Sequence, residues 1–261
     1  MTIDDVTNQK IKETAAALGS SSHATAISGA GMSAESGVPT FRGPDGLSTK
    51  YGEPDDLGYE KFQADPKLWW ENRLNASYMP EMRKALELAK PNDGHFALAQ
   101  LEKMGHIKHV ITQNVDGLHT DAGTENIVEI HGNSKLLRCI QCESRYDPQN
   151  IPMESLPPLC PKCSGLIKID TVMFGEPIPR SVLLTSQEQS QLTDFMLILG
   201  TSGVVYPAAA LPGIAKQTNG ATLVEINPEP SALSSICDIV IQAPTGVALP
   251  ALVKLLERKT V

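Results

Sequence analysis

Four of the five cysteines in this chain stand in two CxxC pairs, Cys139-Ile-Gln-Cys142 and Cys160-Pro-Lys-Cys163, with 17 residues between the pairs. Each pair can place two thiolates on one side of a tight turn. Two such turns brought together give the tetrahedral four-sulfur shell that Zn²⁺ prefers. Residues 136–170 therefore read as a small inserted lobe, set off further by a proline-rich stretch at 151–158. Four protein ligands close the shell, whereas a metal that activates water keeps a position open. One structural zinc ion on Cys139, Cys142, Cys160 and Cys163 is expected, with a redox dithiol as the competing reading. Cys237, ahead of Asp238 and an apolar run, reads as a packed cysteine at a strand end.

Outside this lobe, short apolar runs alternate with stretches of helical periodicity. Residues 24–28, 110–112, 127–130, 195–200, 223–227 and 239–241 read as strands, and the unbroken run at 195–200 suits a strand buried on both faces. Helices are predicted at 6–19, 93–105, around 208–217 and at 247–258, with two more inside 66–90 broken at Pro80. Residues 43–60, rich in Gly, Pro and Asp, read as a loop. Strands alternating with helices predict an α/β fold: a Rossmann-like, doubly wound, mostly parallel sheet with a smaller inserted zinc-binding domain. The expected large domain takes residues 1–43, 91–135 and 171–261. Residues 44–90 supply a loop and helical insertion of the small domain, and 136–170 the four-cysteine module.

The chain's 261 residues, 41% apolar, suffice for a core without disulfide staples. The net charge of −8 disfavours sequence-independent nucleic-acid binding, which draws on a Lys/Arg surplus. The start at Met1 shows no basic region followed by an apolar stretch, and no apolar run approaches the ~20 residues needed to cross a bilayer. A soluble, cytoplasmic protein that binds neither membrane nor nucleic acid is the expectation.

Gly29-Ala30-Gly31-Met-Ser-Ala34 follows the first strand and fits G-x-G-x-x-A opening a helix. Glycines there let backbone approach a pyrophosphate, and a helix N-terminus favours its charge. The acidic residue that a nicotinamide dehydrogenase carries about 20 residues later is not evident, so hydride transfer is disfavoured. Gly200-Thr201-Ser202 and Asn227-Pro-Glu229 sit at strand C-termini, where they can offer hydroxyl and amide groups to phosphate and ribose.

At this point the residues resemble one family, the sirtuins. Gly29-Ala-Gly-Met-Ser-Ala-Glu-Ser-Gly-Val-Pro-Thr-Phe-Arg-Gly43 is similar to the cofactor-loop signature, and Thr112-Gln-Asn-Val-Asp-Gly-Leu-His119 to the second signature. His131-Gly132, the zinc knuckles, Val172-Met-Phe-Gly-Glu176, Gly200-Thr-Ser202, Val204-Val-Tyr-Pro207 and Ile226-Asn-Pro228 complete the series in order, across roughly residues 24–250. The resemblance implies an NAD-dependent protein-lysine deacylase, most simply a deacetylase, that consumes NAD in a cleft between the two domains. The acyl oxygen attacks C1′ of the nicotinamide ribose, nicotinamide leaves, and His131 acts as general base at the ribose hydroxyl chemistry that moves the acyl group. Nicotinamide, acyl-ADP-ribose and free lysine are the products.

By the same resemblance His131 and Asn114 are the catalytic residues. Gln113 and Asn114 handle the nicotinamide ribose, while Asp116 and the Val115 backbone meet the nicotinamide amide. Phe41 shields the ribose and Arg42 reaches the phosphates. Gly29, Ala30, Gly31, Ala34, Gly200, Thr201, Ser202, Asn227, Glu229 and Thr245 complete the expected NAD site. Val172, Phe174, Val204 and Tyr206 are expected to line the acyl-lysine channel, with the peptide of an acyl-lysine substrate added as a strand between the domains. His119 reads as structural.

Two departures bear on specificity. Members that prefer acidic acyl groups carry Tyr-x-x-Arg on the helix after the cofactor loop. Here that helix reads Leu68-Trp-Trp-Glu-Asn-Arg-Leu-Asn-Ala-Ser-Tyr78, where Trp70-x-x-Arg73 has only the spacing. Neutral deacylation is favoured, with desuccinylation through Arg73 as an alternative. Gly203 replaces a frequent leucine, which widens the channel or loosens the strand. Two readings compete with deacylation. One is mono-ADP-ribosyl transfer to protein. The other is a zinc-ribbon binding module using Lys135, Arg138, Arg145, Lys162 and Lys168, though no aromatic platform lies among these.

Overall fold

The computed structural model describes residues 4–42, 46–52, 57–75, 77 and 79–258. Gly43 at the end of the cofactor-loop signature and Tyr78 lie outside them. Six parallel strands form the main sheet: β1 (Ala24–Ser28), β2 (Ile107–Thr112), β3 (Ile127–Glu129), β7 (Phe195–Leu199), β8 (Thr222–Ile226) and β9 (Ile239–Ile241). Their order is β3-β2-β1-β7-β8-β9. Counted within this sheet alone, that is the doubly wound order 3-2-1-4-5-6, and ligands bind where the order reverses. The reversal lies between β1 and β7. Both strands are buried along their whole length; β7 is a continuous apolar run, and β1 buries Thr25 and Ser28 with their hydroxyls bonded to Thr193 and Thr112.

Helices cover both faces. On one, α1 (Asp5–Ser20), α6 (Asp93–Lys103) and α10 (Thr245–Glu257) bury Ile11, Leu18, Leu98, Leu101, Leu249 and Leu252 against β1, β7 and β8. On the other, α9 (Leu211–Asn219) packs on Ile27, Met196 and Ile198, and Val182 of α8 (Arg180–Leu192) joins the same cluster. The short α7 (Leu118–Asp121) follows β2.

The inserted lobe carries strands that the sequence reading did not assign. A second, antiparallel sheet of order β5-β4-β6 is built from β4 (Gly132–Cys139), β5 (Arg145–Tyr146) and β6 (Ile167–Thr171). Beneath it Trp70, Leu137, Cys139, Ile151, Cys160 and Ile167 form a separate core. Trp70 belongs to α4 (Pro66–Leu74), and its indole Nε1 donates to the Ile167 carbonyl at 2.9 Å. The break before Pro80 is present, with Pro80 opening α5 (Pro80–Leu88).

The expected loop at 43–60 needs correction. Its described part contains α2 (Leu47–Tyr51) and the start of α3 (Gly58–Ala64). Glycines at 46, 52 and 58 punctuate elements too short to show a 3.6-residue period, and Phe62, fully buried, holds α3 in place.

Candidate active site

The C-terminal ends of β1, β2, β7 and β8 open into one cleft of about 920 Å³, directly over the reversal of strand order. Two glycine turns meet at its floor. The Gly29 amide donates to the Leu199 carbonyl at 2.9 Å and Gly31 to Gly200 at 2.8 Å. A Cβ on Gly31 would stand 2.8 Å from the Gly200 Cα, and Gly200 itself sits at φ +55. These glycines are thus required for contact between the two turns as well as for a bare surface toward the cleft. The segment Ala30–Ser36 is a 3-10 turn rather than an α-helix.

His131 lies between β3 and β4, at the rim shared by the two sheets. Its Nδ1 is 3.1 Å from the Gln113 carbonyl. A carbonyl only accepts, so Nδ1 carries the hydrogen and Nε2 keeps its lone pair. Burial lowers the His131 pKa, and the Gln113 contact offsets part of that. A neutral ring with a free Nε2 is what a general base needs near neutral pH.

Behind the cleft a buried polar cluster fixes the residues after β2. Asn114 Nδ2 donates to Ser33 Oγ at 3.0 Å, and Ser33 Oγ donates to Asp116 Oδ2 at 2.7 Å. Asp116 Oδ1 accepts from the Leu118 amide at 2.9 Å. Gln113 Nε2 reaches Thr201 Oγ1 at 2.9 Å, and Asn227 Nδ2 reaches the Thr201 carbonyl at 3.1 Å, which ties β2, β7 and β8 together at their ends. His119 is buried, bonded to Ser28 Oγ at 2.8 Å and edge-on to His95. Sequence reasoning passed over Ser33 and His95. Ser33 sits inside the glycine signature, and the signal for His95 was its place three residues after the helix cap Asn92.

Most residues expected at the site lie on this cleft: Gly29, Ala30, Gly31, Phe41, Arg42, Gln113, Asn114, Val115, Asp116, His131, Val172, Phe174, Gly200, Thr201, Ser202, Tyr206, Asn227 and Glu229. The Phe41 and Phe174 rings stack across it at 6.1 Å. Three are placed elsewhere. Ala34 is exposed on the 3-10 turn, and Val204 points to solvent at 44% exposure. Thr245 is buried as the first residue of α10, where its Oγ1 has no hydrogen-bond partner. Gly203 takes φ +68, and Leu233 fills its Cβ space at 2.5 Å. A leucine side chain at 203 would collide with the one that 233 already provides.

The four sulfurs of Cys139, Cys142, Cys160 and Cys163 lie within 4.8 Å of one another, with no disulfide among them. Cys139 and Cys163 are 3.5 Å apart, Cys142 and Cys160 3.7 Å. Zinc–sulfur bonds of ~2.3 Å in a tetrahedron put sulfurs about 3.8 Å apart, so the cluster fits zinc. Cys237 packs against the α9 side of the sheet, its Sγ bonded to the Leu233 carbonyl and its thiol pushed up to about 12 by burial. The basic residues of the lobe form no open patch: Arg138 and Lys168 are buried, and Lys135, Arg138, Arg145 and Lys168 all pair with carboxylates. No described helix is long and apolar enough to cross a membrane.

A sequence model of the Sir2 family matches residues 29–207. The chain is 47% identical over 243 residues to NAD-dependent protein deacylase 2 of Pyrobaculum aerophilum, covering 93% of this chain and 94% of that protein. It is 47% identical over 246 residues to an NAD-dependent protein deacylase of Pyrococcus furiosus, covering 92% and 96%. Among solved structures, a Sir2 homolog–NAD complex aligns with a TM-score of 0.79 at 35% identity, covering 96% of this chain and 95% of that one. A Sir2–p53 peptide–NAD⁺ complex aligns with a TM-score of 0.73 at 32% identity, covering 96% and 98%. Matched over most of its length in both sequence and fold, the chain belongs to the Sir2 family.

Proposed function

We propose that this chain is an NAD-dependent protein-lysine deacylase acting on neutral acyl groups, acetyl first among them. The observation that carries the reading is the placement of His131, with its Nε2 free, on the same cleft as the paired glycine turns and the Phe41–Phe174 stack. Relatives aligned over nine-tenths of the chain bear the name NAD-dependent protein deacylase. A solved relative is described with both a peptide and NAD⁺.

NAD, when bound, supplies a ribose carbon that can exchange nicotinamide for the acyl oxygen. The glycine turns, Ser202, Asn227 and Glu229 hold its phosphates and adenosine end. Asn114, fixed by Ser33, orients the nicotinamide ribose, and Asp116 with the Val115 backbone orients the nicotinamide amide. His131 Nε2 takes the proton from a ribose hydroxyl. Phe41 excludes water, and Val172, Phe174 and Tyr206 enclose the lysine stem.

Arg42 is the single Lys or Arg among the described residues lining the cleft. Arg73 is not among them. Both facts favour a neutral acyl group over a carboxylate-bearing one. The test is incubation with NAD and acetyl-, longer acyl- and succinyl-lysine peptides, following nicotinamide release and product mass. Acetyl peptide should release nicotinamide and acyl-ADP-ribose, with succinyl peptide slower by roughly tenfold or more, an interaction difference of about 1.4 kcal/mol. Absence of peptide-dependent release overturns the reading, and ADP-ribosylated protein as the product replaces it with transfer.

A further inference from the structure

The small sheet carries an unusual interior. Arg138 on β4 and Lys168 on β6 are buried, with Asp170 beside them. Arg138 Nε meets Asp170 Oδ1 at 2.8 Å, and its Nη2 meets Glu176 Oε1 at 2.6 Å. Lys168 Nζ meets Glu176 Oε2 at 3.1 Å and donates to the Ile169 and Thr171 carbonyls. Arg145 on β5 closes the set onto Asp170 and Glu129. Buried ion pairs contribute little net stability against an apolar replacement, so their presence points to a positional role.

Glu176 shows which position is held. Its Oε2 also accepts the Met173 amide at 2.9 Å, while its own amide donates to the Met173 carbonyl at 3.0 Å. The turn 173–176 is closed twice, by backbone and by this side chain. The same turn presents Phe174 to Phe41 across the cleft. One residue earlier, the Val172 amide donates to the His131 carbonyl at 2.8 Å.

We propose that Glu176 is a positioning residue for substrate: its side chain, clamped by Arg138 and Lys168 of the zinc-lobe strands, fixes the turn 173–176 as a wall of the acyl-lysine channel. The inference rests on the deacylase reading for the identity of the substrate, but not for the clamp itself. A carboxylate is required because both of its oxygens accept. Glutamine offers one acceptor and must turn its NH₂ either toward Arg138, which faces Oε1, or toward Lys168 and the Met173 amide, which share Oε2.

Glu176→Gln should raise the KM for acetyl-lysine peptide on the order of 10- to 100-fold, the cost of a wall misplaced by about an ångström. The KM for NAD should stay within about twofold. Amide hydrogen exchange should quicken at 172–176 and not at 139–163, and the zinc content should be unchanged. Should that variant fail to fold, Lys168→Met combined with Glu176→Gln removes one cation with one carboxylate, and the same KM split and local exchange are expected of it. An unchanged peptide KM in a folded, zinc-loaded variant overturns the proposal. So does a parallel rise in both KM values without faster exchange at 172–176. If the wild-type protein shows no peptide-dependent turnover, the deacylase reading fails separately, and unchanged exchange at 172–176 still decides against the clamp.

Discussion

The four-cysteine lobe and the cleft proposed to hold NAD assemble their functional atoms in opposite ways. In the lobe, four sulfurs come from two tight turns, and the chemistry of each turn is local. In the cleft, Gly31, Gln113, His131, Thr201 and Asn227 come from segments far apart in sequence, and only the order of strands in the sheet brings them together. The lobe's geometry is therefore set by a ligand shell and the cleft's by topology. Disturbing the first should cost fold, and disturbing the second should cost rate.

Metal removal is the largest expected effect. The lobe's own core is six buried side chains, two of them ligating cysteines. Structural zinc supplies an apparent ~10 kcal/mol or more in comparable small modules, far beyond what such a core retains. Both tryptophans of the chain, Trp69 and Trp70, pack in this cluster. Stripping the metal, or Cys142→Ser, should shift their emission to the red while far-ultraviolet dichroism keeps most of the parallel sheet and its helices. A verified metal-free protein with unshifted emission would erase the distinction between the two regions.

His131→Ala addresses the other side. Loss of a general base costs typically 10²- to 10⁴-fold, about 3–5 kcal/mol of transition-state stabilisation. Tryptophan emission and zinc content should not move, because His131 touches the rim through one ring contact with Gln113. Since burial holds its pKa below the usual 6.5, the acid limb of kcat/KM for the wild type should lie below pH 6.5. A limb above pH 7 would assign the base to another group.

The same contrast explains what the sequence disclosed. The sheet was legible because β7 is an unbroken apolar run and β1 and β8 are short, mostly apolar segments between helical stretches. The zinc shell was legible from spacing. The small sheet was hidden because Arg138, Lys168 and Asp170 lie in its buried layer, so its strands read as polar surface. The helices α2 and α3 were hidden by glycines and by their length. In the cleft, the signature motifs located the strand ends, but Ser33 and His95 work through side-chain contacts between segments, which no local pattern records. Thr245, Ala34 and Val204 mark the converse: they lie outside the cleft lining, Ala34 and Val204 exposed and Thr245 buried at the start of α10. Gly203 made sense only once Leu233 was seen in the space beside it.

The smallest effect separates the regions by pH. The lobe residues 136–170 include no histidine, whereas two fully buried histidines stand behind the cleft. Burial lowers His95 to about 4, partly countered by Asp116, and lowers His119 to about 3, with the neighbouring His95 charge adding to it. In the unfolded chain both titrate near 6.5. Between pH 6.5 and about 4 the unfolded state therefore binds more protons than the folded one, and stability falls as the pH falls through that window. The contribution is complete above pH 6.5. At pH 5.5 the two sites together should have lost about 3 kcal/mol, from ~1.4 kcal/mol per site per pH unit. Thermal melts at pH 7.5 and 5.5 read this directly. His119→Asn should remove its own share of the dependence, about 1.4 kcal/mol between pH 7.5 and 5.5, whatever it does to the absolute Tm. An equally steep dependence in that variant would move the acid sensitivity away from His119, to the other histidines whose pKa burial lowers (His131, His106 and His109) or to the zinc thiolates.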